Sequence, residues 1–148
     1  MPNDNITAEP LIPAIRTDAD GQHYLAGSRC SGCTAIFAGG RSVCARCFTR
    51  DRMSEVRLAT RGTVYAFTIV HRSFPGVRTP FVAVTVDLSD GAHIRGTLEN
   101  VAPTPESIPF DMPVELVFTE VVPPGAAGRA YLSYHFLPAN GTTSGGFR

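Results

Sequence analysis

Cys30-Ser31-Gly32-Cys33 and Cys44-Ala45-Arg46-Cys47 decide how this chain folds. Two Cys-x-x-Cys pairs joined by a short arm, residues 34–43, bring four thiolates to one point, which is the spacing of a tetrahedral metal site. They account for all 4 cysteines of the chain. Each pair is expected to form a tight knuckle, with Gly32 supplying the permissive backbone for the first turn. An all-thiolate set favours zinc in a structural role, because no coordination position is left for water or substrate. Iron on the same sulfurs and a pair of disulfides are the alternatives. Met1 to Pro10 is polar, and no apolar run is long enough for a signal-peptide core or a membrane span. A reducing, cytoplasmic location is therefore expected, where disulfides are uncommon.

Working outward from the cysteines, Gln22–Ser28, Thr34–Phe37 and Met53–Ala59 read as strands and Ala38-Gly39-Gly40 as a turn. The result is a zinc ribbon over residues 21–60, in which the metal replaces a core that so short a piece cannot build. Beyond Arg61-Gly62 the pattern becomes that of a buried sheet. Thr63–His71 is rich in β-branched and aromatic side chains. Phe81–Leu88 places Val82, Val84, Val86 and Leu88 on one face, Ser89-Asp90-Gly91 makes a hairpin turn, and His93–Glu99 points Ile94, Gly96 and Leu98 inward. Asn100–Met112 carries three prolines and reads as a long connection with one helical turn. Pro113–Val121 and Ala130–Leu137, joined through Pro123-Pro124-Gly125, complete five strands. The fold class is all-β: a ribbon followed by a five-stranded OB-fold barrel over residues 61–139. Residues 1–20 are expected to be flexible or to form a short helix near Ala8–Arg16, and residues 140–148 a flexible tail.

With 148 residues and 43% hydrophobic content the chain can bury a real core. Its formal net charge is +0, but the charge is unevenly spread. Seven arginines (29, 41, 46, 50, 52, 57, 61) face only Asp51 and Glu55 around the cysteines, while Thr79–Gly128 holds seven acids against Arg95. The ribbon is basic and the barrel acidic. All 13 basic residues are arginine, whose planar fork suits phosphate or carboxylate; a solvated surface is the plain alternative.

The loop His71–Arg78 joins the first two barrel strands, a position from which OB domains contact ligands. Arg72 and Arg78 could hold phosphate and Phe74 a base, with Arg41, Arg46 and Arg50 of the ribbon expected nearby. Otherwise Phe74 staples the loop to the barrel. For chemistry the candidates are His71, Ser73, Asp87, Asp90, His93 and His135, with His71 and His93 expected near one rim. There is no HxE, HExxH or glycine-rich phosphate loop, so binding is favoured over catalysis. A nucleic-acid module is encouraged by the basic ribbon and opposed by Asp87, Glu99, Glu115 and Glu120 at exposed positions. The sequons at Asn5 and Asn140 are chance matches for such a location.

An ordered series of stretches carries a resemblance. These are Ser28-Arg29-Cys30-Ser31-Gly32-Cys33, Cys44-Ala45-Arg46-Cys47, Gly62-Thr63-Val64-Tyr65-Ala66-Phe67-Thr68, Pro80-Phe81-Val82-Ala83-Val84 and Phe110-Asp111-Met112-Pro113-Val114-Glu115-Leu116-Val117-Phe118. From Tyr24 to Pro138 the chain resembles the acyl-CoA-associated OB-fold family with a rubredoxin-like zinc ribbon, domain of unknown function 35. The resemblance implies a noncatalytic accessory subunit, acting as scaffold or CoA channel for a thiolase-like acyltransferase, a retro-aldol lyase or a hydratase. It also implies structural zinc on Cys30, Cys33, Cys44 and Cys47, coenzyme A as a candidate ligand, and a thiolase-like or hydratase-like partner subunit in a hetero-oligomer. Neither a membrane nor nucleic acid is expected as partner, and a stand-alone acyl-CoA hydratase or hydrolase is the remaining class. Ala38-Gly39-Gly40-Arg41 stands where the family usually carries prolines, so a looser arm is expected.

Overall fold

Alternation such as Phe81–Leu88 is stable only where one strand face is buried, and the ten strands among the described residues solve that problem. The computed structural model describes residues 8–139, with strands β1 (Glu9–Pro10), β2 (Ile15–Thr17), β3 (His23–Cys30), β4 (Ile36–Ala38), β5 (Met53–Arg57), β6 (Arg61–Val70), β7 (Phe81–Leu88), β8 (His93–Leu98), β9 (Pro113–Val121) and β10 (Tyr131–Pro138). Strands β6, β7 and β8 pair antiparallel in sequence. Strand β10 then lies parallel to β8 at Phe136–Leu98 and antiparallel to β9 along its length. Strand β9 returns to β6 through Arg61–Glu115 and Thr63–Pro113. The order β6-β7-β8-β10-β9-β6 closes the five-stranded OB barrel expected from the sequence.

The inward faces fill this barrel with Val64, Val82, Val84, Val86, Val114 and Phe136, each no more than 3% exposed. Burying a side chain of that kind stabilises by about 1.5–3 kcal/mol. Between β8 and β9 a single 3-10 turn, Pro105–Ser107, delivers Ile108 into the core at 2% exposure. That is the helical turn expected in this connection, and among the described residues no α-helix plugs the barrel.

Closure requires β6 to serve two neighbours. A register shift between Val64 and Ala66 leaves Tyr65 as the extra residue of a β-bulge, which sharpens the twist as β6 leaves β9 and continues along β7. At Gly62, paired with both Leu88 and Val114, a Cβ would run into the Asp87 carbonyl oxygen and the Leu88 backbone.

The ribbon is built around β3, which pairs with β2, β4 and β5. Of the two alternatives for the N-terminal segment, the short helix near Ala8–Arg16 does not form. Pro10 and Pro13 disfavour it, and two open strand edges accept the segment instead. Strand β1 lies parallel to β10, with the Leu11 N–H donating to the Leu132 carbonyl at 2.8 Å, and β2 pairs with the start of β3. Residues 8–17 thus strap the barrel to the ribbon, and Ile15, 1% exposed, lies in the shared core with Leu25 and Leu58. The His23 ring also stands edge-on to Phe118 of β9 at 5.8 Å. The tail expected over residues 140–148 lies outside the described residues. No helix among the described residues is long and apolar enough to cross a membrane.

Gly62→Ala is expected to destabilise the fold by about 1–3 kcal/mol through overpacking. Gly40→Ala, where a Cβ meets nothing within 4 Å, should leave the denaturation midpoint in place. Equal midpoints for the two variants would refute this account of β6.

Candidate functional site

The two knuckles are set by backbone geometry immediately after each cysteine pair. Thr34 and Phe48 adopt left-handed conformations, φ 67 and 63°, and their N–H groups donate back to the Cys30 and Cys44 carbonyls at 2.8 and 2.9 Å. Gly32, expected to supply the permissive position, does not: its φ is not left-handed, and a Cβ there would make only ordinary contacts, the nearest 3.5 Å from Cys30 Sγ. The turn falls one residue after the second cysteine, so Thr34 and Phe48 bear the αL strain.

All four thiols are free, and their Sγ atoms lie within 4.8 Å of one another. Cys30 to Cys47 is 3.7 Å and Cys33 to Cys44 is 3.5 Å. Sulfurs bound at ~2.3 Å around a tetrahedral ion stand about 3.8 Å apart, so the donor set fits a metal ion. Gly32 N–H donates to Cys30 Sγ at 3.3 Å, and the Arg46 and Cys47 amides donate to Cys44 Sγ at 3.3 and 3.4 Å. Those dipoles favour the thiolate.

The thiols are held far from equivalence. The Cys33 N–H, then the Thr49 hydroxyl, pull Cys30 down to about 6. Cys47 is lowered by the Thr49 hydroxyl, 3.0 Å away, and the Thr49 N–H. At Cys33 the Ala35 N–H lowers the pKa, but burial and the sulfurs of Cys44, Cys47 and Cys30 outweigh it and push the thiol up to about 11. Cys33 therefore keeps its proton at neutral pH until an ion displaces it. Thr49 was not singled out from the sequence; its only signal is a hydroxyl two residues after Cys47.

The arm between the knuckles is pinned, contrary to the looseness expected of Ala38-Gly39-Gly40-Arg41. Buried Ser28 donates from Oγ to the Gly39 carbonyl at 2.7 Å and accepts the Arg41 N–H at 3.0 Å. The Arg41 guanidinium stacks on Phe37, 4.7 Å from the ring centroid. Arg41 and Arg46 line one cleft of about 430 Å³ with Asp90, Gly91 and His93 of the β7–β8 hairpin. Arg50 sits in the second knuckle, its backbone bridged to Val43.

The loop carrying Arg72, Phe74 and Arg78 is elsewhere. It leaves the Val70–Phe81 end of the β6–β7 ladder, whereas the cleft adjoins the Gly62–Leu88 end, a strand length of about 25 Å away. The expectation that this loop and the ribbon arginines form one site is therefore corrected. Phe74 is 80% exposed and does not staple the loop down. Gly76, Val77 and Arg78 instead wall a second cleft, about 640 Å³, opposite Val121–Pro124.

The catalytic candidates also part company. His71 and Ser73 belong to the far loop, and His93 starts β8 at the opposite end, so the two histidines do not share a rim. His93 Nδ1 bonds Asp87 at 2.5 Å, and His135 lies 3.8 Å from Glu99. Asp90 is structural: its Oδ2 accepts the Ala59 N–H at 2.7 Å and its Oδ1 the Ala92 N–H at 3.1 Å, fixing the ribbon-to-barrel linker.

An all-β chain with a thiolate ribbon packed on an OB barrel is the class that fold and site define. Residues 55–119 match the family model of the ChsH2 C-terminal OB-fold domain. A DUF35 domain-containing scaffold protein of Methanocaldococcus jannaschii is 30% identical over 120 residues, 79% of this chain and 83% of that protein. The chain belongs to the DUF35 family. The benzoylsuccinyl-CoA thiolase subunit BbsA of Geobacter metallireducens is 30% identical over 84 residues, 57% of this chain and 56% of that one. Among solved structures, a chain of the Ltp2-ChsH2(DUF35) aldolase superposes with a TM-score of 0.62 at 27% identity, covering 78% of this chain and 85% of that chain.

Cys30→Ser or Cys44→Ser is expected to lose the metal and unfold the ribbon, read by metal content and proteolysis. Metal uptake should release protons at pH 7, since Cys33 starts protonated, and affinity should fall as pH drops through about 6, where Cys30 gains its proton. Full metal content in the serine variants, or uptake without proton release, would refute the assignment.

Proposed function

We propose that this chain is a noncatalytic accessory subunit that scaffolds an acyl-CoA-processing enzyme of the thiolase or aldolase class, with structural zinc in its ribbon. The observation that carries the reading is the likeness to the DUF35 scaffold protein and to the Ltp2-ChsH2(DUF35) aldolase chain over most of both lengths. The site agrees with that role. The four sulfurs face one another, Cys30 and Cys44 are fully buried, and the candidate acids and bases are dispersed over both barrel ends. Zinc suits such a site because it adds no redox chemistry and accepts tetrahedral thiolates without further preference.

The division into a ribbon over 21–60 and a barrel over 61–139 gives the scaffold two working ends. At the far end Arg72, Phe74 and Arg78 put one exposed ring and two exposed arginines on a single loop, a composition enriched at protein interfaces and suited to coenzyme A. Arg41, Arg46 and Arg50 form the ribbon-side set. The partner is a thiolase-like or hydratase-like subunit in a cytoplasmic hetero-oligomer.

Co-expression with a thiolase-like or hydratase-like partner followed by low-salt affinity purification should recover a stoichiometric complex, while the pure chain turns over no acyl-CoA. Salt-labile retention on single-stranded DNA without a partner enzyme, or thioester turnover by the chain alone, would overturn the reading. Within it, Arg72→Ala with Arg78→Ala should weaken CoA binding or partner activity without moving Tm. Calorimetry and coupled assays unchanged in that double variant would remove the loop from the contact surface.

A further inference from the structure

The cleft between ribbon and barrel is assembled from both units. Thr34–Ala38, Arg41 and Arg46 come from the ribbon; Asp90, Gly91 and His93 come from the β7–β8 hairpin. At about 430 Å³ it falls within the ~300–1,000 Å³ range of small-ligand sites. Among the described residues, neither guanidinium has a carboxylate within 4.0 Å. The acids that do stand nearby are occupied. Both Asp90 oxygens accept backbone N–H groups, and Asp87 holds His93 Nδ1. Two unpaired guanidiniums, one braced on Phe37, remain beside an imidazole whose Nε2 has no partner among the described residues.

Each arginine is also held from behind. The Arg41 backbone is tied to buried Ser28. Arg46 lies between Cys44 and Cys47, and its N–H donates to Cys44 Sγ. The backbone that carries one of the two arginines is thereby tied to the sulfur cluster. An anion in the cleft and a metal ion in the knuckle both favour the same placement of Arg46, so each should tighten the other.

We propose that the junction cleft binds a phosphate group, of the phosphomonoester or pyrophosphate kind carried by nucleotides, and that this binding is coupled to metal in the ribbon. Planar guanidiniums recognise such oxygens through paired charge-assisted hydrogen bonds. The assignment rests on the proposed function only for coenzyme A as the natural bearer of the phosphate. On this assignment the far-end loop is left to the partner subunit, so Arg72→Ala with Arg78→Ala should change partner activity and not CoA affinity.

The test uses the metal-loaded full chain and three probes, inorganic pyrophosphate, adenosine 3′,5′-bisphosphate and coenzyme A, titrated calorimetrically with sulfate as a competing anion. Saturable binding of the bisphosphate is expected, at least about tenfold weaker in Arg41→Gln with Arg46→Gln and unchanged in Arg95→Gln. Transfer of the metal to a chromogenic chelator should be slowed by the bisphosphate in the unmodified chain and not in the double variant. Melting curves establish that each variant is folded, and His93→Gln weakens the same site from the barrel side. No saturable binding of any probe, displacement by equimolar sulfate, or equal affinity in the double variant would overturn the site. Metal transfer insensitive to the bisphosphate would overturn the coupling. Bisphosphate bound without coenzyme A leaves the site standing and refutes CoA contact; CoA bound equally by the double variant does the reverse.

Discussion

Four sulfurs within 4.8 Å of one another are the constraint on which the rest of the structure depends. Four thiolates at that spacing repel, and four thiols leave a pair of knuckles with little to hold them closed. Burial and the neighbouring sulfurs push Cys33 up, while the Cys33 N–H and the Thr49 hydroxyl draw Cys30 down. A divalent ion on the four sulfurs would resolve the conflict by replacing protons with bonds. Strands β4 and β5 are short and half-exposed, so the ribbon has little burial of its own to oppose unfolding.

What burial the ribbon has, it shares. Ile15, Leu25 and Leu58 join the same buried cluster as the barrel valines, so ribbon and barrel are packed as one body at their junction. The strap of residues 8–17 serves both sides, covering the free edge of β10 with β1 and the start of β3 with β2. An uncovered edge of that kind would invite pairing with another chain. Asp90 completes the junction by bonding the linker through Ala59 N–H, which explains why a carboxylate in a hairpin turn is not free for chemistry.

This rigid junction has a functional consequence. The loop arginines and the ribbon arginines stand beside opposite ends of the β6–β7 ladder, held apart by the length of the barrel. Side chains able to transfer protons are spread along the same axis and do not converge, whereas geometry for catalysis demands convergence within hydrogen-bond reach. Exposed Phe48, Tyr65, Phe74 and Phe110 add apolar area of the sort that partner proteins cover.

Much of this was legible from local pattern. Period-two alternation located β7 and β9 to the residue, and the cysteine spacing announced the cluster, because both signals are written by neighbours a few residues apart. Three things were not legible. Residues 8–16 carry a weak helical pattern but become strands because β10 and β3 offer edges from far along the chain. The left-handed positions fall on Thr34 and Phe48, where residue preference alone selects Gly32, because hydrogen bonding back to Cys30 and Cys44 dictates the turn. His71 ends one strand and His93 begins another, yet they stand at opposite barrel ends, and Arg41 and Asp90 line one cleft across the ribbon–barrel seam. Strand identity, the cysteine cluster and the family were determined by the sequence itself; which side chains share a surface was decided only when the barrel closed, since long-range pairing sets distances that local periodicity does not contain.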